Sequence, residues 1–414
     1  MTKNTIWTYN NARFIHIELS SLCNAACPNC PRYMYNTEIV NPDLDLTSIS
    51  IEQFKKWFPV DFVKNSKRWL ICGTVGDPMM AKDVYEILEY ICLNSDAGIQ
   101  LNTNGGTRST EFWKKVGNLF NLPASNRRYI IFSVDGLEDT NHIYRRNVSW
   151  DKVYNNMKAY ASTGAYSQWD YLIFKHNEHQ IEEAKLMAKE IGITDLALKR
   201  ALGFEGSTPD TYKNMPARDK QGKFQYFIEP PSIEWRNNAQ ATAEQPIPSS
   251  DMNINKTKKT VIEIKNELDY DISKSLSSWK FPEEHKGKTI VCKSCVKETK
   301  IPSTEIYIDA SGNVMPCCYI GTWFSSYYKL AAAIQIKKAV KDWGPEKINL
   351  DNYSLKDILD SGFLNQMFAD KWENAADGDK MEHCFSMCGK VDNKGENSVD
   401  KIYISGWWAK DKNK

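Results

Sequence analysis

The chain has 414 residues, 42% hydrophobic and 25% charged, an ordinary globular composition that excludes a disordered or membrane-embedded protein and suggests two or three units of about 150 residues each. Lys and Arg total 53 against 52 Asp and Glu. So even a balance gives no overall field to draw nucleic acid or an anionic membrane.

The first residues, MTKNTIWTYNNARF, lack the apolar core of a secretory signal, and no run of eighteen apolar residues follows anywhere. The expectation is a cytoplasmic protein with no membrane partner. In a reducing compartment its 11 cysteines are free, catalytic or metal-bound rather than disulfide-paired.

From residue 13 to about 200, short apolar runs alternate with amphipathic segments. The runs are FIHIEL (14–19), WLICG (69–73), IQLN (99–102), YIIFSV (129–134), DYLIF (170–174) and LALK (196–199). Before the last run, Ile181, Ala184, Ala188 and Ile191 recur at helical steps and Gly192 marks the stop. Six strand–helix repeats build a parallel sheet, either doubly wound or an incomplete barrel, with chemistry at the C-terminal strand ends.

Residues 203–290 break this pattern with Pro-, Asn-, Gln- and Lys-rich stretches and read as a linker or lid. Residues 291–414 hold six cysteines, a hairpin-like EIYIDASGNVMPCC and a helix-like SLKDILDSGFLNQMFADKW. Three units result: 1–202, 203–290 and 291–414.

The densest chemical signal is SSLCNAACPNCPR, which places Cys23, Cys27 and Cys30 in one loop directly after the first strand. A structural zinc site wants four ligands, and three leave a position unfilled. A four-iron cluster held by three cysteines leaves one iron open. The loop CNAACPNC resembles the signature of the radical S-adenosylmethionine (radical SAM) superfamily. Asn29 stands where that family often has an aromatic or apolar residue.

The resemblance implies an α/β fold, an incomplete (β/α)6 TIM-like barrel, with a small cysteine-rich α+β domain at the C-terminal end. It implies a [4Fe-4S] cluster on Cys23, Cys27 and Cys30 whose free iron binds SAM, and radical removal of hydrogen from a substrate. CGTVGDPMM resembles the family's Gly-Gly-Glu-Pro stretch, in which Gly76 admits the ligand to the backbone and Asp77 takes the SAM ammonium. LNTNGG matches a Thr-Asn-Gly stretch that gives Thr103 or Asn104 to the SAM pocket. FSVDGLEDTNHIYRR resembles the Ser-x-Asp-Gly ribose stretch, with Ser133 and Asp135 on the ribose and Arg145, better spaced than Arg146, on the SAM carboxylate. Asn177 serves either the ligand or a helix cap, and Cys72 and Cys92 read as structural.

Farther on, Cys292, Cys295, Cys317, Cys384 and Cys388 resemble the set of a SPASM or twitch extension, with Gly312 and Cys317 as its Gly-x4-Cys element. One auxiliary [4Fe-4S] cluster is implied, on Cys317 and three of the other four. On chemistry alone zinc fits nearly as well. Cys318, expected on the opposite face of an extended strand, is apolar packing, and His383, beside Cys384, is either a metal ligand or, more commonly for such a residue, exposed.

The implied substrate is a peptide or protein side chain, with a small molecule such as a sugar or nucleotide as the alternative. The implied partner is a reductant such as a flavodoxin or ferredoxin. About twelve residues precede the first strand, too few for a peptide-binding winged helix or a cobalamin domain. The contrasting reading is a non-catalytic zinc-binding scaffold that recruits a partner, RNA among them, though the even charge disfavours nucleic acid.

Overall fold

The six apolar runs become six parallel strands in the computed structural model of the chain. It describes residues 6–34, 36–201, 203–204, 211–238, 240–241, 289–290, 296–297, 303–325, 331–370, 381, 384 and 389–390. The strands are β1 (Ala12–Ile17), β2 (Arg68–Cys72), β3 (Gly98–Thr103), β4 (Arg128–Ser133), β5 (Ser167–Ile173) and β6 (Asp195–Arg200). Each pairs with the next in sequence order, with helices in the crossovers, as an incomplete (β/α)6 barrel requires.

Alternation along the strands gives the sheet two unlike faces. Ile17, Ile71, Leu101 and Ile130 stand in one cross-strand row and are fully buried. Helices cover this face: Phe54 of helix Ile51–Trp57 packs on Trp69 at 5.4 Å between ring centroids, and Trp113 of helix Thr110–Phe120 packs on Phe132 at 5.3 Å. Helix starts are written locally. Ser50 accepts from the Gln53 amide while Gln53 returns its side-chain oxygen to the Ser50 N–H, a reciprocal cap. Gly192, at φ +86°, ends helix Ile181–Ile191 in the left-handed conformation that a side chain disfavours.

The opposite, concave face is polar. Cys72, Asn102, Ile131 and Gln168 form one row; His16, Leu70, Gln100 and Tyr129 form another; Ser133 sits beside Asp170. Side chains bond to one another across it. Tyr129 Oη donates to Gln100 Oε1 at 2.8 Å, Gln168 Nε2 donates to Asp170 Oδ1 at 2.6 Å, and Lys199 pairs with Asp170 at 2.5 Å.

The C-terminal segment is less detached than its sequence suggests. Strand Ser303–Ile308 adds in parallel to the free edge of β1, with Ile15 opposite Ile306 and Ile17 opposite Ile308. It then turns at Asp309–Asn313, with Gly312 at φ +86°, into the short antiparallel strand Val314–Met315. Trp57 Nε1 donates to Asp351 Oδ1 at 2.9 Å, and the Ile6 and Trp7 amides both donate to Asn365 Oδ1. The hairpin strand ends before the cysteines, so the extended-strand argument for Cys318 does not apply. Cys318 opens helix Cys318–Ser325 instead, half-buried, and burial pushes its thiol pKa up.

The segment expected as a linker or lid carries regular structure in its described part. Met215–Arg218 and Phe224–Ile228 form an antiparallel hairpin. It is fastened to the barrel by Tyr226 Oη on the Ile143 carbonyl at 2.7 Å and by the Arg218 amide on the Asn36 carbonyl at 3.0 Å. Composition hid the hairpin because its strands are only four and five residues long. Among the described residues no helix is long and apolar enough to cross a membrane.

Candidate functional site at the C-terminal strand ends

The chain leaves β1 into a loop that does not return to a helix until Ile51. Buried Arg32 braces it, with Nη1 donating to the carbonyls of Ser21 and Val75. Tyr33 Oη donates to the Ala25 carbonyl at 2.7 Å, and the Ala26 amide donates to the Arg146 carbonyl at 2.9 Å. A turn with the Cys30 amide on the Cys27 carbonyl at 3.1 Å gathers the last two cysteines. Cys27 is buried; Cys23 and Cys30 are half-buried.

Three N–H groups converge on two of these sulfurs. The Ala25 amide lies 3.4 Å from Cys23 Sγ, Asn104 Nδ2 lies 3.8 Å from the same sulfur, and Arg145 Nη1 lies 3.7 Å from Cys27 Sγ. Burial pushes all three thiol pKa values up, that of Cys30 to about 12. The loop therefore holds neutral thiols until a cationic centre supplies the charge that makes them thiolates. Among the described residues no three His, Cys, Asp or Glu side chains stand close enough to hold one metal ion.

The other sequence-predicted residues cluster here, each with contacts to the protein itself. Gly76 brings loops together: a Cβ on it would lie 1.9 Å from the Ser20 carbonyl oxygen, so its bareness serves the loop after β1. Asp77 is buried and its carboxylate is taken up by protein donors: Thr103 Oγ1, the Asn104 amide at 2.8 Å and the Met79 amide at 2.9 Å. Burial pushes its pKa up and those donors pull it back. It ties the end of β2 to the end of β3. Asn104 splits its amide between Asn24 Oδ1 at 2.8 Å and Cys23, while its oxygen accepts from the Gly106 amide.

Ser133 is the half-buried last residue of β4 and faces the concavity. Asp135 does not join it. The strand has ended, so two-residue alternation no longer holds, and Asp135 turns into the protein with no exposed side-chain surface. It pairs with Arg145 Nε at 2.6 Å and accepts from the Leu172 amide at 2.8 Å. Asn177 is buried as an interior bridge: its oxygen accepts from the Phe174 amide and its Nδ2 donates to the Asp135 and Leu172 carbonyls. Arg146 is diverted to Glu38 and the Arg218 carbonyl.

Residues 17–188 match the family model described as the Radical SAM superfamily. This segment, about two-fifths of the chain, is similar to a radical SAM domain. The superfamily is one of enzymes and implies a [4Fe-4S] cluster and SAM. The residues present fit both groups: three soft thiols on one loop, N–H donors at two of the sulfurs, and the polar face of the sheet ending at Ser133.

Among solved structures, Streptococcus suis SuiB bound to S-adenosylmethionine is 13% identical with a TM-score of 0.41, over 74% of this chain and 60% of that one. The chain thus spans about three-fifths of the SuiB length. Tagged anSMEcpe with bound AdoMet is 12% identical with a TM-score of 0.42, over 85% and 78% of the two chains. Methylornithine synthase is 15% identical with a TM-score of 0.34, over 48% and 56%. No curated protein matches the chain.

Sequence reasoning missed Glu18, the residue just past β1 in the segment that matches the family model. It is buried, accepts from Tyr307 Oη of the C-terminal strand and from the Val75 amide, and has its pKa pushed up by burial. A lone acid one residue before the end of FIHIEL carried a signal only as a polar break in an apolar run. Of the auxiliary set, Cys317 is buried, Cys384 is half-buried, and Cys292, Cys295 and Cys388 lie outside the described residues, as does His383.

Proposed function

We propose that the protein is a radical SAM enzyme that removes hydrogen from a polar substrate held over the concave face. The observation that carries this reading is the three-thiol loop with N–H donors from the ends of β3 and β4 aimed at its sulfurs. When bound, the cluster supplies an electron that cleaves the SAM sulfonium, giving methionine and a 5'-deoxyadenosyl radical able to take hydrogen from a C–H bond.

The residues of the chain do the rest. Cys23, Cys27 and Cys30 would hold the cluster. Asp77 acts by fixing Thr103 and Asn104 beside it and not by touching SAM. Arg145 uses Nε on Asp135 and Nη1 on Cys27, and Nη2 has no protein partner among the described residues, so that arm is the one free for the SAM carboxylate. Ser133, half-buried at the rim of the concavity, suits a ribose hydroxyl.

The concave face supports a substrate group that hydrogen-bonds. Barrel interiors are ordinarily filled with Val, Ile and Leu. Here Gln100, Asn102, Tyr129, Asp170 and Lys199 take those places, partly exposed or buried in a hydrogen-bonded network. A peptide unit and a hydroxylated small molecule both meet that requirement; an aliphatic chain does not. Cys317 and Cys384, with cysteines beyond the described residues, are proposed to hold one auxiliary [4Fe-4S] cluster, and a flavodoxin or ferredoxin is the proposed reductant.

Anaerobic reconstitution tests the reading. Iron with acid-labile sulfide, and release of 5'-deoxyadenosine from SAM on adding dithionite, are expected from the intact chain, and Cys27→Ala should abolish the release. Zinc without sulfide, or clusters that leave SAM uncleaved, would sink it.

A further inference from the structure

We infer that Arg145 sets the reduction potential of the cluster, acting as a positioning residue whose guanidinium, aimed by Asp135, donates to the sulfur of Cys27. The inference rests on the proposed function and goes beyond the carboxylate role that the family resemblance implies.

Three observations carry it. Arg145 Nη1 stands 3.7 Å from Cys27 Sγ, within the range of an N–H···S bond. The guanidinium cannot swing away freely, because Nε is paired at 2.6 Å with an Asp135 that is itself fully buried and fixed by the Leu172 amide. The side chain keeps only 17% of its surface exposed, so water screens the contact weakly. The neighbouring Arg146, on Glu38 and the Arg218 carbonyl, shows no sulfur contact and serves as an internal control.

The physics gives the sign. Reducing a cluster adds negative charge, shared by its thiolate sulfurs, and hydrogen bonds and positive charge near those sulfurs favour the reduced form. Asp135 cancels part of the guanidinium charge, so the effect is smaller than that of a bare cation. The N–H dipole toward Cys27 is not cancelled, since it points along the contact. Arg145 therefore raises the potential and makes the cluster easier to reduce.

The test is an EPR-monitored redox titration of the anaerobically reconstituted full chain without SAM. The relevant signal is assigned by its loss in a Cys23→Ala/Cys27→Ala/Cys30→Ala variant. Arg145→Met is expected to titrate lower. At the wild-type midpoint its reduced-to-oxidised ratio should fall about tenfold, or about 59 mV for one electron. Arg145→Gln, which keeps N–H donors without the charge, should fall between, and Arg146→Met should match wild type. If Arg145→Met fails to hold a cluster, the glutamine variant decides. Wild-type midpoints in the Arg145 variants, or an equal shift in Arg146→Met, overturn the inference. A wild-type protein that forms no cluster instead overturns the proposed function, so the two failures are distinguishable.

Discussion

The two faces of the central sheet are built from the same strands yet obey different rules. On the helix side, Trp69, Phe132 and Trp169 are fully buried among other rings, and stability comes from close packing. On the concave side, alternate residues of those strands carry amides, hydroxyls and charges that bond to one another. A sheet that needed only to be stable would be apolar on both faces. The polar face is where the fold gives up packing for recognition.

The difference can be broken from either side. The largest effect is expected on the helix face. Trp169→Ala removes a fully buried indole and the hydrogen bond from Nε1 to the Val134 carbonyl, and should cost about 3–5 kcal/mol in urea unfolding. A loss below about 1 kcal/mol would mean that this face is not the core.

An intermediate effect is expected from Lys199→Met, which strands the Asp170 carboxylate. Both side chains retain some exposure, 20% and 11%, and Gln168 still donates to Asp170, so the cost should be about 1–2 kcal/mol. Adding Asp170→Asn should recover most of it. If the double variant is no better than the single, the pair is not what holds these side chains.

The smallest effect is a change of slope with pH. Burial raises the pKa of Glu18 in the folded chain above its usual value of 4.5, so the folded state holds the proton more tightly than the unfolded chain. That contribution to stability is complete below about pH 4.5 and is lost as pH rises through the folded pKa. Glu18→Gln should flatten the decline above about pH 4.5. An unchanged slope would place the titration elsewhere.

The helix face was legible in the sequence because burial there follows periodicity: β1 to β6 fall within a few residues of the apolar runs, and Gly192 stops its helix as expected. The cysteine loop stood out because three thiols lie close in sequence and their pattern resembles a family signature. The protein partners of Asp77, Asp135 and Arg145 were not legible, since a motif gives residue types in order and not which of them bond to each other. Asp135 pairs with Arg145 from ten residues away, and the Arg145 contact to Cys27 spans 118 residues. No local pattern reports such a contact.

The strand that β1 acquires from the far end of the chain has a consequence for biosynthesis. Ile15 finds its neighbour Ile306 only after nearly all of the barrel has left the ribosome. Until then one border of the nascent sheet offers unpaired amides and carbonyls to any extended peptide nearby. Late closure of this kind is expected to slow folding and to leave shortened translation products with an open edge for self-association.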